Sequence, residues 1–356
     1  NVDAAIWNNL VLELGKEMGD ILDIFDFKIL SAAVNEKVLW FNIGLYHCNK
    51  DRFEKSLFYF KKALILDPAY VKPLNQACIA EGNSFRFELA EKLAKKAITI
   101  HPRYSVAWMN RGIFARSNGK IFEGIQYLRQ AIASSGGFYP DATYNLALQL
   151  LAIGKIEEGY RSYRQRWFTQ SLKPHKRNFS EKIWPGPSVA SGCRVFMYME
   201  QGMGDEVMYS QILPMIYEDC SSLTVECDER LIETFARTFP DIVFSPRVSG
   251  SDDQKRAGDF DFQAPVAQAV EFYSEKLRCD MAVLSGGPDL RGVRIPPRLC
   301  VDPKRLSYWR SYLTQSLGTR LIVGVAWRSG LRTHLRNQQY LDPESLIKTI
   351  PPGAGV

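Results

Sequence analysis

The chain has 356 residues, 46% hydrophobic and 24% charged, a size for two or three globular domains and a composition that can bury real cores. No apolar run approaches the ~20 residues of a membrane span, and the first ten residues carry no basic, apolar and small-residue order of a secretory signal. The net charge of +6 is concentrated in Arg161 to Lys182, with seven Lys or Arg against one Glu, so a general nucleic-acid surface is not expected.

The seven cysteines form no C-x-x-C pair, which argues against a structural zinc site. Their odd number and apolar surroundings predict reduced, mostly buried thiols and a cytoplasmic protein. The basic stretch reads as a solvated linker; a second reading has it facing a phosphate-bearing ligand.

In chain order, the first feature is an internal repeat. Trp40, Leu74 and Trp108 are 34 apart, as are Gly44, Cys78 and Gly112; Ala63, Ala97 and Ala131; and Pro68 and Pro102. A pair of antiparallel helices recurring at this spacing is the signature of the tetratricopeptide repeat (TPR). Large apolar residues fill the gap between paired helices, small ones allow close approach, and each proline stops a helix. Gly119 to Gly124 recurs as Gly154 to Gly159, an offset of 35, with Ser134 to Pro140 absorbing the extra residue. About four repeats are expected over residues 3–170, with Trp40, Trp108, Ala63, Ala97 and Ala131 buried. Such an array presents a concave face to a protein or peptide.

Residues 171–192 read as a basic linker, punctuated by Pro185-Gly186-Pro187. Beyond it the pattern changes. Arg194 to Met199 is an apolar strand, and Glu200-Gln201-Gly202-Met203-Gly204-Asp205 is a glycine loop leading into a helix. Strands at Leu223 to Val225 and Ile242 to Phe244 alternate with a helix at Glu229 to Thr238. A further helix at Asp302 to Ser316 places Leu306, Trp309 and Leu313 on one face. The buried strand Leu321 to Trp327 follows. This is the alternation of a parallel sheet covered by helices, whose ligands bind at the carboxyl ends of strands. Gly202-x-Gly204 lacks the third glycine of a dinucleotide fingerprint, which makes a dinucleotide-dependent oxidoreductase a weak reading. The loop after Trp327 carries Arg328, Ser329, Arg332 and Arg336, a set suited to phosphate oxygens. Since Val356 comes so soon after Trp327, the chain is expected to be truncated within its last lobe.

Met199 to Glu206, Ile212-Leu213-Pro214 and Val323 to Gly330 together resemble bacterial TPR proteins with a C-terminal GT-B-like glycosyltransferase module, heptosyltransferase-like or O-GlcNAc-transferase-like. The resemblance implies a TPR solenoid followed by an α/β Rossmann-like domain, with a first lobe at 193–318 and an incomplete second lobe at 319–356. It implies transfer of a sugar from a nucleotide-activated donor to a protein or glycan hydroxyl, with no cofactor or metal and the array selecting the acceptor. Asp205 matches the proposed base, within an acceptor loop of Glu200, Gln201, Gly202 and Gly204; Arg328, Ser329 and Arg336 match donor-phosphate contacts. Glu206 is an extra acid relative to that pattern. Asp205 also stands where a helix N-cap would. The alternative is a non-catalytic TPR scaffold carrying a degenerate glycosyltransferase-like binding module.

Overall fold

The computed structural model describes residues 35–173, 176–177, 179–200, 202–247, 260–275, 299–318 and 343–350. The chain divides into two compact units. The first comprises Asn1–Ser180, Ser251–Ala257 and Ala264–Gly287; the second comprises Glu181–Gly250, Gly258–Gln263 and Pro288–Val356.

Among the described residues of the first unit, eight helices form four antiparallel pairs: α1 (Lys37–Asn49) with α2 (Phe53–Leu66), α3 (Val71–Asn83) with α4 (Phe87–Ile100), α5 (Ser105–Ser117) with α6 (Ile121–Ser134), and α7 (Pro140–Ala152) with α8 (Ile156–Tyr163). This is the expected TPR solenoid over residues 37–163; the expected start of the array near residue 3 lies outside the described residues. First (A) helices of neighbouring repeats touch, α1 to α3, α3 to α5 and α5 to α7, and second (B) helices do not pack to that extent, so the array curves with its A helices inside. Ala63, Ala97 and Ala131 are all fully buried, as are Leu74 and Cys78, and Trp40 is buried with them. Trp108 departs from the expectation. It is half-buried, because its indole N–H reaches out to the Pro102 carbonyl (2.8 Å), a partner that a fully enclosed indole would have to give up.

The prolines act as the sequence implies. Helices α2 and α4 end at Leu66 and Ile100, and the residues before the prolines, Asp67 and His101, leave the helical region with ψ of 95° and 86°. The turn inside each repeat has its own periodic signature. Asp51, Phe85, Gly119 and Gly154 all adopt positive φ, between 56° and 78°. In each turn the next N–H closes back onto the A helix: Arg52 to His47, Arg86 to Glu81, Lys120 to Ala115 and Lys155 to Leu150, at 2.8–2.9 Å. Glycine does this freely at two turns, whereas Asp51 and Phe85 are held there by the surrounding repeat.

At Gly112 the close approach is measurable. A Cβ there would lie 2.7 Å from Leu128 Cγ and 2.9 Å from the Gly124 carbonyl oxygen. Leucine can shift, but backbone oxygen on a packed helix cannot. We expect Gly112→Ala to destabilise the array by about 1–3 kcal/mol through overpacking, despite alanine's better helix propensity. Urea unfolding monitored by helical circular dichroism checks this; an unchanged midpoint would show that α5 and α6 separate freely.

The second unit holds a five-stranded sheet in the order β1-β5-β2-β3-β4: β1 (Lys182–Ile183), β2 (Cys193–Tyr198), β3 (Cys220–Cys227), β4 (Val243–Pro246) and β5 (Phe262–Pro265), the last of which leaves the unit after Gln263. β1 pairs parallel with β5, and β2 and β4 each pair parallel with β3. Four consecutive residues of β2, Val195 to Tyr198, are buried, the mark of a central strand covered on both faces. Helices α9 (Met203–Tyr209) and α10 (Leu213–Glu218) connect β2 to β3, and α11 (Glu229–Thr238) connects β3 to β4. α11 matches the expected boundaries. α12 (Val266–Ala269) and the turn Val270–Tyr273 follow β5 and belong to the first unit, where they pack on α8.

One reading of the sequence is corrected. The stretch taken as a basic linker supplies edge strand β1, and Trp184 beside it is completely buried, its backbone N–H donating to the Gln263 carbonyl (2.8 Å). Helix α13 (Pro303–Leu317) forms and is capped by the Asp302 carboxylate, which accepts from the N–H groups of Lys304 and Arg305. Its Leu306 and Leu313 are half-buried, but Trp309 is 53% exposed. The expected strand Leu321 to Trp327 lies outside the described residues. α14 (Pro343–Ile347) is the last described element.

Candidate functional site at the carboxyl end of the second strand

Strand order locates the site. From β2 the chain proceeds outward on one side to β3 and β4, then returns to place β5 on the other side of β2. The loop after β2 therefore opens at the point where the strand order reverses, the place where open α/β sheets bind ligands.

β2 continues as extended chain through Met199, whose N–H donates to the Glu226 carbonyl at 2.8 Å, to the buried Glu200. Gln201 lies outside the described residues. Gly202 caps α9 with φ of −100°, and it and Gly204 are exposed. Neither glycine needs a left-handed backbone, so the turn itself does not demand them. Among the described residues nothing lies within 4 Å of where a Cβ would stand on either. What the glycines provide is open room at the start of α9.

Asp205 is not the N-cap. It occupies the third helical position, where its half-buried carboxylate accepts the Gly202 N–H at a long 3.4 Å. This is the returning half of a capping box, the other half being impossible for a glycine with no side chain. One carboxylate oxygen thus faces the helix end, and the group keeps acceptor capacity.

Glu206 has a different role. Its side chain is fully buried, and it ties three strand ends together. Oε2 accepts the Asp228 N–H, just after β3, at 2.8 Å, and Oε1 is paired with the Arg247 guanidinium, just after β4. Arg247 is anchored in turn by its own N–H on the Cys227 carbonyl (2.9 Å). Burial pushes the Glu206 carboxyl above its ordinary range, opposed by the Asp228 N–H and the Arg247 charge. Asp228 goes the other way. The Arg230 side chain and backbone N–H hold it down to about 2. Glu226, at the end of β3, is also buried. The acid that is extra to the resembled glycosyltransferase motif is thus a strut beneath the loop that presents Asp205. No sequence signal paired it with Arg247, because a lone arginine after a short strand has no periodic context.

Arg328, Ser329 and Arg336, like Gln201, lie outside the described residues; of the expected site the structure describes Glu200, Gly202, Gly204 and Asp205. Among the described residues no group of three or more His, Cys, Asp or Glu is arranged to hold a metal ion, and no helix is long and apolar enough to cross a membrane.

Comparison with known proteins matches the tetratricopeptide-repeat family model to residues 38–70, the α1–α2 pair. The chain is 27% identical over 274 residues to Protein FlbA of Caulobacter vibrioides, an alignment covering 73% of this chain and 44% of that protein. The chain thus spans less than half the length of this relative. Similar solved structures include MamA (18% identity, 45% of this chain and 98% of that one, TM-score 0.37). PilF of Pseudomonas aeruginosa is another (12%, 60% and 85%, TM-score 0.44). A third is the first TPR of Spaghetti (RPAP3) bound to an HSP90 peptide (16%, 34% and 94%, TM-score 0.32).

Proposed function

We propose that the chain is a repeat scaffold that holds a segment of a protein partner along its A helices, joined to an α/β binding module. The observation that carries this is a stripe of aliphatic residues at one register: Leu45, Ile79, Ile113 and Leu148, all half-buried, one from each repeat. They leave apolar surface open along the inner helices, which suits an extended or helical peptide. A displayed random-peptide library selected on the chain tests this. Enriched peptides should lose binding to Ile79→Glu and Ile113→Glu, and keep it for Phe122→Glu on the outer helix α6. Peptides indifferent to the inner substitutions would sink the reading.

A second reading is favoured by one specific observation, the half-buried Asp205 carboxylate beside the open Gly202 and Gly204 at the strand-order reversal. In it the chain belongs to a sugar transferase acting on a protein or glycan hydroxyl. Asp205 removes the proton of the attacking hydroxyl. Glu200, Gln201, Gly202 and Gly204 shape the acceptor loop, and Arg328, Ser329 and Arg336 hold the donor diphosphate without a metal. The division into a repeat array at 3–170, a first lobe at 193–318 and a second lobe from 319 belongs to this reading, as does a nucleotide-sugar as the small-molecule partner. If the α/β module binds such a donor without turning it over, the two readings merge into a scaffold with a degenerate transferase module.

A further inference from the structure

One residue of the array breaks its own pattern. The position before the small residue of each A helix is Ile43, Ala77, Arg111 and Leu146 in the four repeats. The three apolar members are buried core residues. In the third repeat the same register holds an arginine. Burying a guanidinium is costly unless it is paired and hydrogen-bonded, yet the buried Arg111 Nε makes no hydrogen bond, and its ion pair with Glu91 is long at 3.8 Å. Its planar group lies 3.9 Å from the Tyr127 ring centre and 5.9 Å from that of Trp108, which fixes its orientation without using its donors.

Arg111 opens onto a cavity of ≈ 420 Å³ between α4, α5 and the turn before α6. Lys92, Lys95 and Lys120 also line it, together with Asn118 and two carboxylates, Glu88 and Glu91. Glu91 is already shared: Lys120 and Asn118 both reach it at 3.3 Å, besides Arg111. Four cations therefore face two carboxylates, one of them already hydrogen-bonded by Lys120 and Asn118 and ion-paired with Arg111. The bland account, a solvated helix face with i,i+4 pairs, explains Lys92 and Lys95 but not a charge at a core register.

We propose that this cavity binds a phosphate monoester, with Arg111 as its inner ligand and Lys92, Lys95 and Lys120 around the rim. The excess of two positive charges matches a dianion, and the guanidinium supplies the fork that phosphate oxygens accept. The phosphate could be carried by a small molecule or by a phosphorylated side chain of a partner; the cavity chemistry is the same. This site lies outside the strand-end loop and does not depend on the scaffold or transferase readings.

The test is calorimetric titration of the full chain with inorganic phosphate, with phenyl phosphate, and with a short peptide containing one phosphoserine, at low ionic strength. Saturable binding is expected for at least one. Arg111→Leu, which restores the residue of the fourth repeat, should fold with an unchanged or higher thermal midpoint and lose about tenfold or more in affinity. Lys92→Ala with Lys95→Ala, both at the cavity rim, should weaken binding several-fold and keeps the test decisive if Arg111→Leu does not fold. A phosphopeptide tighter than both small probes identifies a protein-borne phosphate; comparable affinities identify a small molecule. Absence of binding by all three probes, or binding that survives these substitutions undiminished, overturns the proposal.

Discussion

Replacing Glu206 with alanine is expected to destabilise the α/β unit by about 2–4 kcal/mol. The substitution orphans the Asp228 N–H and removes a charged hydrogen bond to Arg247, each worth on the order of 1–3 kcal/mol. The damage is concentrated because the two partners sit on different loops, after β3 and after β4, and Glu206 is what joins both to α9. Hydrogen exchange of the Val195 and Met197 amides, in the middle of the sheet, reports the loss. Glu206→Gln keeps the shape and one acceptor for Asp228, so it should cost only about 1 kcal/mol. The two variants should also differ from the parent in pH dependence. The Glu206 pKa is raised on folding, so the folded state binds more protons than the unfolded one in the window just above the ordinary glutamate value of 4.5. Stability from this group is therefore greatest below that window and declines as pH rises through it. In Glu206→Gln that decline should vanish. A Glu206→Ala variant as stable as the parent would mean that the three loops are held by something else.

The second large effect concerns chemistry. If Asp205 is the base of a sugar transfer, Asp205→Asn should reduce turnover roughly 10²–10⁴-fold, the scale of general-base catalysis, with donor affinity unchanged. Asparagine suits the test because its carbonyl can still accept the Gly202 N–H that Asp205 accepts at 3.4 Å. The end of α9 is then preserved, and a lost helix cap cannot explain lost activity. Arg336→Ala should do the reverse, weakening donor binding by about 1.5–3 kcal/mol. Turnover that survives Asp205→Asn in a folded protein leaves the residue as a helix-end acceptor and removes the transferase mechanism.

The repeat array was legible because its information is periodic. Ala63, Ala97 and Ala131 recur at the spacing of the structural unit, and all three are fully buried. Trp108 escapes that pattern for a local reason, an indole N–H seeking the Pro102 carbonyl, which spacing does not encode. In the α/β unit, α11 was legible to both of its ends because Asp228 caps it and an apolar face runs through it. β1 and β5 were not legible. Very short strands carry no alternation, and β1 lies among prolines and glycines that signal a turn.

The sequence by itself determined that this protein repeats a helix pair at a fixed spacing and then alternates strands with helices, since both are local periodicities imposed by backbone geometry on which residues must be apolar. It also placed Asp205 at a strand-to-helix loop. Only the tertiary structure decided that Glu206 beneath it is a strut to Asp228 and Arg247, that Trp184 is core and no linker residue, and that Arg111 sits at a buried register facing a cationic cavity. Each of these depends on which side chains meet across long separations in the chain. Hydrogen-bond satisfaction and charge compensation are settled between such partners, and no local pattern of residue types contains them.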